Sequence, residues 1–258
     1  MEESEKESLD TVSPENAEGS QNQDELIMAQ EKEIAEEIKN SFPLIGPLEG
    51  LGSLQKEFEH DVIYSSKLQS KFSRIRRTRP DGNCFLRGFI FAYLDYCVQN
   101  REELTRFKKI LESSKTELFD LGFPKFTTED FYDMFVEVVS DLEANGTSER
   151  VESICNDSGT SDYLVVYLRL LISAHLQKNA EFFSFFIEGG RSEVEPMYRE
   201  CDHLHIVALT AALDICVSVI YLDRGKAESL AIHNFPEDKD PLFFMLYRPN
   251  HYDLLYKT

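Results

Sequence analysis

The sequence predicts an α+β fold in which a helical part is followed by a small, mostly antiparallel sheet, with a helical arm at the N-terminus. Two patterns support this prediction. Through most of the first two thirds of the 258 residues, apolar side chains recur at helical spacing and are separated by breaks rich in Gly, Pro or Asn. The last third holds short apolar and β-branched runs instead. Helices first and strands last are typical of a single α+β domain.

The chain is strongly acidic, with a formal net charge of −20. Residues 1–40 carry thirteen acidic residues and three lysines, which is half of that net charge. An acidic surface argues against nucleic acid and anionic membranes as partners and favours a basic partner. Residues 1–23 have almost no large apolar side chains, so we predict a disordered acidic tail there.

Residues 24–40 predict an amphipathic helical arm, because Ile27, Ile34 and Ile38 share one face on an acidic background. The arm ends before Phe42-Pro43. Two interpretations stay open: the arm packs on the domain, or it orders on a partner. Residues 41–258 would form the domain.

Within the domain, a loop is predicted at 43–52 and helical spacing at 54–72. A basic cluster follows, which is either a solvated face or a site that helps to hold a thiolate or binds an acidic element. Its members are Lys71, Arg74, Arg76, Arg77 and Arg79. Further helices are predicted at 84–96, 104–119, 131–142, 163–176, 182–186 and 205–213. Strands are predicted at 216–222, followed by a turn at 223–225, and at 242–247 and 252–256, which residues 248–251 join as a hairpin. The helix at 163–176 is apolar nearly all round, which predicts a buried central helix.

Residues 79–89 (RPDGNCFLRGF) are the stretch around which the chain is organised. Their first half is turn chemistry, and the second half begins a helix. Cys84 stands at the junction, where the helix dipole favours a thiolate and the free amides of the turn can bind an oxyanion. A cysteine peptidase needs both features. The alternative interpretation is a small buried cysteine behind an ordinary Asp-Gly turn.

A nucleophilic cysteine needs a base, and His251 is the best candidate. Asp253 follows two residues later, so on a strand both side chains point to the same face. The carboxylate can then orient the imidazole through one nitrogen and leave the other for the thiol. His175, on the apolar helix, is interpreted as a core histidine. Cys201, His203 and His205 could bind a metal, but no second ligand cluster completes that site.

The sequence has five cysteines, an odd number, and no CxxC pair. The N-terminal residues also lack the basic and apolar regions of a secretion signal. Both observations predict reduced thiols in the cytosol or the nucleus.

The segment 79–85 (RPDGNCF) resembles the catalytic-cysteine motif of the ovarian-tumour (OTU) family of deubiquitinating cysteine proteases, and the chain is similar to its otubain subfamily. The similarity continues at 24–30 (DELIMAQ), 160–171 (TSDYLVVYLRLL), 186–191 (FIEGGR), 193–197 (EVEPM), 202–206 (DHLHI) and 247–253 (YRPNHYD). It covers nearly everything from about residue 24 onward.

The resemblance implies a papain-like OTU protease fold and hydrolysis of isopeptide bonds in polyubiquitin, preferably in chains linked through lysine 48. Cys84 would be the nucleophile, His251 the general base and Asp253 its orienting acid, while Asp81 would shape the oxyanion hole with the Cys84 amide. No cofactor or metal is implied.

The resemblance also implies a role without catalysis, in which the N-terminal arm helps the protein to bind and restrain ubiquitin-charged conjugating enzymes. A protease acting on another protein is a weaker alternative. Only Ser192 separates the GGR and EVEP motifs here, whereas otubains usually have a longer segment at that point. Residues 85–90 also differ from the otubain pattern, which suggests a divergent member.

Overall fold

The computed structural model describes residues 14–58, 67–183, 191–222 and 230–257. The chain divides into two compact units, Met1–Ser41 and Phe42–Thr258. The helices are α1 (Pro14–Ser41), α2 (Gln69–Lys71), α3 (Cys84–Gln99), α4 (Arg101–Asp120), α5 (Lys125–Asn145), α6 (Ser148–Asn156), α7 (Ser158–Lys178), α8 (Ala180–Phe183), α9 (Arg191–Val194) and α10 (His203–Leu213). The strands are β1 (Ile45–Gly50), β2 (Phe72–Thr78), β3 (Val217–Tyr221), β4 (Ala231–Phe235), β5 (Phe243–Arg248) and β6 (His251–Lys257).

The six strands form one sheet in the order β1-β2-β6-β5-β3-β4. All neighbouring pairs are antiparallel except β3 and β5, which are parallel. The strand that comes last in the sequence, β6, therefore lies inside the sheet between β2 and β5. The tight hairpin between β5 and β6 pairs Arg248 with His251 and Tyr247 with Tyr252.

Helix α3 lies against the sheet and carries Cys84 at its first residue. A Cβ atom on Gly88 would lie 3.0 Å from the Met245 side chain and 3.3 Å from that of Thr78, so glycine permits the close approach of helix and sheet here. Phe85 makes an edge contact with Tyr252 on β6, with the ring centroids 5.1 Å apart. These contacts bring the start of α3 to the start of β6.

Helix α7 is the buried central helix, as the sequence predicts. It packs against α3, α4, α5, α6 and α10, and the majority of its residues are buried. One of them is Arg169, which is fully buried. No helix in the described ranges is both long enough and apolar enough to cross a membrane.

The α+β fold class is confirmed, with one difference in element order: two strands, β1 and β2, lie between α1 and α3, and β1 occupies most of the segment predicted as a loop at 43–52. The prediction of continuous helix over 54–72 was wrong where the structure describes that range. A 3-10 turn at Leu51–Leu54 leads into a short irregular segment, and the single-turn α2 runs directly into β2. The arginines of β2 are the reason why the sequence did not predict this strand. Two of them form ion pairs, Arg76 with Glu152 and Arg77 with Glu49.

Other elements also differ between the sequence prediction and the structure. Helix α1 begins at Pro14, within the segment for which we predicted a disordered tail. Helix α6 and strand β4 were not predicted; β4 is an edge strand with a partly exposed sequence and no clear alternation. The hairpin of β5 and β6 was predicted and is confirmed. The turn predicted at 223–225 and most of the aromatic helix predicted at 182–186 lie outside the described residues.

Candidate active site

The turn before Cys84 is held by its own polar groups. Asp81 accepts a hydrogen bond from the Asn83 amide at 3.0 Å, and its own amide donates to the Arg79 carbonyl at 2.9 Å. Gly82 has a φ of +75°, and a Cβ atom there would lie 2.4 Å from the Tyr198 carbonyl oxygen, so only glycine fits. The turn delivers the chain into α3 with Cys84 as the first helical residue, 4% exposed.

The structure brings His251 and Asp253 together as the sequence predicts. Both lie on β6, and His251 Nε2 lies 2.9 Å from Asp253 Oδ1. The other ring nitrogen, Nδ1, is buried, and Cys84 lies close enough to interact with the ring. The carboxylate thus engages one nitrogen, which leaves the second for the thiol of Cys84.

The charges around His251 favour its cationic form. Burial disfavours an imidazolium, but Asp253 and then Cys84 outweigh that effect and raise the pKa of His251 to about 9. At neutral pH the imidazole is therefore protonated. A protonated imidazole beside a thiol stabilises the thiolate, which is the nucleophilic form of cysteine.

Asp253 is fully buried and its carboxylate has three donors. Besides His251, it accepts the Thr78 amide at 3.0 Å and the guanidinium of Arg248. Burial alone would raise the pKa of Asp253, but His251 and Arg248 together with the Thr78 amide lower it below the usual value. Asp253 is therefore held as a carboxylate in a fixed orientation.

Arg248 joins this carboxylate to a second one. Its Nη1 atom lies 2.7 and 2.8 Å from the two carboxylate oxygens of Glu57, while Nη2 contacts Asp253. The Arg248 side chain is 12% exposed and that of Glu57 is 35% exposed. A chain of four charged or polar side chains thus leads from the surface at Glu57 to His251.

Asp81 takes part in a different network, around the buried Arg87 one turn into α3. Arg87 donates from Nε to Asp81 Oδ2 at 2.9 Å, from Nη1 to Ser161 Oγ at 2.8 Å and from Nη2 to Asp162 Oδ1 at 2.7 Å. The hydrogen bonds of the Asp81 carboxylate therefore stabilise the conformation of the turn. Amides in the first turn of a helix have no acceptor inside the helix, so those beside Cys84 can serve an oxyanion.

A second buried arginine fastens the turn from α7. Arg169 donates to Asn83 Oδ1 at 2.8 Å, to the Val194 carbonyl at 3.1 Å and to the Arg199 carbonyl. The same Asn83 oxygen accepts the Tyr198 amide at 3.1 Å. These hydrogen bonds fix residues 194–199 against the turn that precedes Cys84.

The sequence reasoning identified Cys84, His251 and Asp253, but it missed the three arginines that support them. One signal was present: Arg169 interrupts an otherwise apolar helix, which calls for a specific partner. Arg248 lies within the hairpin that was identified, and Arg87 lies three residues after the cysteine.

Among the described residues, the other predicted candidates form no hydrogen bond with His251 or Asp253, although Cys201 lies near enough to Cys84 for the two thiols to interact electrostatically. All five cysteines are unpaired and buried, and burial raises the pKa of Cys97, Cys155 and Cys201 to about 12. His205 Nδ1 lies 2.7 Å from Asp202. No group of three potential metal ligands occurs in the part of the chain that the structure describes. His175 is half-buried on α7, and burial lowers its pKa.

Comparison with known proteins shows the family to which the chain is similar. The family model described as Peptidase C65 Otubain matches residues 37–257. The human protein named ubiquitin thioesterase OTUB1 is 46% identical over 245 residues, which cover 91% of this chain and 90% of the human protein.

Two solved structures have a similar fold. One bears the description "The structure of h/ceOTUB1-ubiquitin aldehyde-UBC13~Ub"; it is 33% identical with a TM-score of 0.86 and covers 91% of this chain and 98% of the other. The second, "The structure of h/ceOTUB1-ubiquitin aldehyde-UBCH5B~Ub", is also 33% identical with a TM-score of 0.86, and covers 92% and 99%.

Proposed function

The chain belongs to the otubain family of cysteine peptidases and is a cysteine-type deubiquitinase; from this premise we propose that it hydrolyses isopeptide bonds in polyubiquitin, preferably in lysine-48-linked chains, through Cys84, His251 and Asp253. One observation carries the mechanism. A cysteine at the start of a helix faces a histidine whose other ring nitrogen is held by a buried carboxylate. The linkage preference is supported by the motifs shared with otubains.

The first half of the proposed reaction forms an acyl-enzyme. The Cys84 thiolate attacks the carbonyl carbon of the C-terminal glycine of the distal ubiquitin, and the carbonyl oxygen becomes an oxyanion opposite the amides of the Asp81–Cys84 turn. His251 donates its proton to the lysine nitrogen as the C–N bond breaks. The lysine side chain leaves as an amine, and a thioester to Cys84 remains.

The second half restores the enzyme. His251, now neutral, accepts a proton from water while the water oxygen attacks the thioester carbon. The C–S bond breaks, and the distal ubiquitin leaves with a free carboxylate. Cys84 returns as a thiolate beside the protonated His251, and Asp253 keeps the ring oriented throughout.

Ubiquitin as the partner is supported by charge. The chain has a formal net charge of −20, and the recognition face of ubiquitin is basic and apolar, so the two surfaces are complementary. The similar structures contain ubiquitin aldehyde together with ubiquitin-linked UBC13 or UBCH5B.

We propose that the protein is located in the cytosol and also in the nucleus. The five cysteines, none of which forms a disulfide, support this location.

Linkage selectivity is tested with lysine-48-linked and lysine-63-linked di-ubiquitin in parallel. We expect cleavage of the first at least about tenfold faster, which corresponds to roughly 1.4 kcal/mol of discrimination between the transition states. The measurement is the appearance of mono-ubiquitin on gels at equal enzyme concentration. Equal rates for the two linkages would contradict the proposed preference, while cleavage of neither chain by folded protein would contradict the hydrolytic function.

A second function, restraint of ubiquitin-charged conjugating enzymes, is favoured by α1. This 28-residue helix leaves Leu26, Met28 and Ile34 exposed, and exposed apolar side chains on an acidic helix suit a partner surface. The conjugating enzymes in the similar structures are the kind of partner we propose.

Deleting residues 1–40 separates the two functions. We expect the deletion to abolish inhibition of ubiquitin transfer from a charged conjugating enzyme while di-ubiquitin cleavage continues, because Cys84, His251 and Asp253 all lie in the other unit. Met28→Asp should reproduce the loss of inhibition, and Glu31→Gln, which keeps the apolar face, should not. Undiminished inhibition by the truncated chain would rule out a role for the arm.

A further inference from the structure

Arg248 is bound by two carboxylates of unequal burial. Asp253 is fully buried, and Glu57 is partly exposed. Burial disfavours the Arg248 cation, but Asp253 and Glu57 outweigh that effect and raise the pKa of Arg248. The guanidinium is thus a permanent positive charge in direct contact with the carboxylate that supports His251.

Glu57 is held in place by the residues around it. Leu54 and Phe58, on either side, are buried in a small hydrophobic cluster on the sheet with Phe72, Leu246 and Leu255. Arg248 leaves the end of β5, whose Leu246 belongs to the same cluster. The contact between Glu57 and Arg248 is therefore set by packing on both sides.

We propose that Arg248 is a positioning residue of the peptidase site, which sets how strongly Asp253 stabilises the protonated form of His251, and that Glu57 sets how much of the Arg248 charge Asp253 experiences. This inference rests on the proposed roles of Cys84, His251 and Asp253. It adds a fourth and a fifth side chain, which act through Asp253 and do not touch the reacting atoms.

The sign of each effect follows from the charges of the groups in contact. The groups that act on His251 are Asp253 on its own strand and Cys84 from α3. Asp253 is in turn contacted by Arg248 from β5 and by the Thr78 amide from β2. Removing the Arg248 charge leaves the Asp253 charge less compensated, so the imidazolium becomes more stable. Removing the Glu57 charge has the opposite effect, because Arg248 then acts on Asp253 alone.

The two variants Arg248→Gln and Glu57→Gln test the proposal. The pKa of His251 is measured in the full-length chain by NMR titration of labelled histidine, in a Cys84→Ala background, with the signal assigned by its loss in His251→Gln. We expect Arg248→Gln to raise this pKa by about one unit. Glu57→Gln should lower it by a smaller amount. Shifts of the His251 pKa in opposite directions would support the proposal, because loss of structure alone would not produce them.

The second measurement is the pH dependence of kcat/KM for di-ubiquitin in chains that retain Cys84. The alkaline limb of this profile should move to higher pH in Arg248→Gln and to lower pH in Glu57→Gln, whatever happens to the absolute rate. Glu143→Gln is the matched control: it removes the same charge from an exposed ion pair with Lys108, on helix α5, which carries none of the residues of the site. It should shift neither quantity.

The outcomes separate the two levels of the proposal. Unchanged values in both variants, or shifts of the same sign, would overturn the roles of Arg248 and Glu57. If Arg248→Gln does not fold, as judged by its thermal unfolding, the downward shift in Glu57→Gln decides alone, and its absence overturns the inference. A wild-type chain that cleaves no ubiquitin chain while the NMR shifts appear would instead refute the proposed function and leave the charge coupling standing.

Discussion

Cys84→Ser is expected to lose di-ubiquitin cleavage by roughly 10⁴-fold or more while the fold stays intact. The reason is specific to this site. Asp253 raises the pKa of His251 and so favours the protonated ring, whereas a serine hydroxyl needs a neutral imidazole to remove its proton. Only a nucleophile that ionises readily beside an imidazolium works here, and a thiol does so whereas an alcohol does not.

Cleavage of lysine-48-linked di-ubiquitin, followed at equal concentrations of wild type and variant, measures the loss. Cys97→Ser is the matched control, because Cys97 is a buried thiol in the last turn of the same helix, α3. It should keep its activity. Thermal unfolding of each protein reports on the fold. Retained cleavage by folded Cys84→Ser would refute the assignment of the nucleophile.

His251→Ala is expected to reduce kcat/KM by roughly 10⁴-fold, and Asp253→Asn by on the order of 10²-fold. Alanine removes both the cation beside the thiolate and the proton for the leaving lysine nitrogen. Asparagine keeps an oxygen that can accept from His251 Nε2 and from the Thr78 amide, which bind Asp253 Oδ1 in the structure. It loses the carboxylate charge and presents an amide group to Arg248.

The comparison of the two variants is made on kcat/KM with one ubiquitin substrate, alongside their thermal unfolding. A loss in Asp253→Asn that equals or exceeds that in His251→Ala, in a protein that unfolds at a similar temperature, would contradict a supporting role for Asp253. It would show instead that the carboxylate charge itself is indispensable to the reaction.

Periodic elements could be predicted from the sequence, and irregular ones could not. Helices α3 and α7 repeat apolar residues over many turns, and the β5–β6 hairpin joins two apolar runs by a short polar turn, so each pattern has one structural solution. Strand β2 carries three arginines among its seven residues, and β1 contains a Gly-Pro pair and pairs with β2 in an irregular register. Their burial depends on neighbours that arrive from elsewhere in the chain.

The same division applies to the candidate site. His251 and Asp253 could be paired in advance because a spacing of two on a strand fixes a common face, and Cys84 because a turn leads directly into a helix. The contacts of Arg169 with Asn83, and of Arg248 with Glu57, link residues far apart in the sequence. The tertiary fold determines which residues pair with a buried charge, and no periodic pattern in the sequence predicts these pairs.

The place of β6 within the sheet has a consequence for the newly made protein. Proteins fold from the N-terminus during synthesis, so the nucleophile in α3 emerges long before the strand that brings His251 and Asp253. Until β6 enters between β2 and β5, these two strands have no common neighbour, and the proposed base of Cys84 is missing. We therefore expect a growing chain to cleave ubiquitin chains only once the sheet is complete.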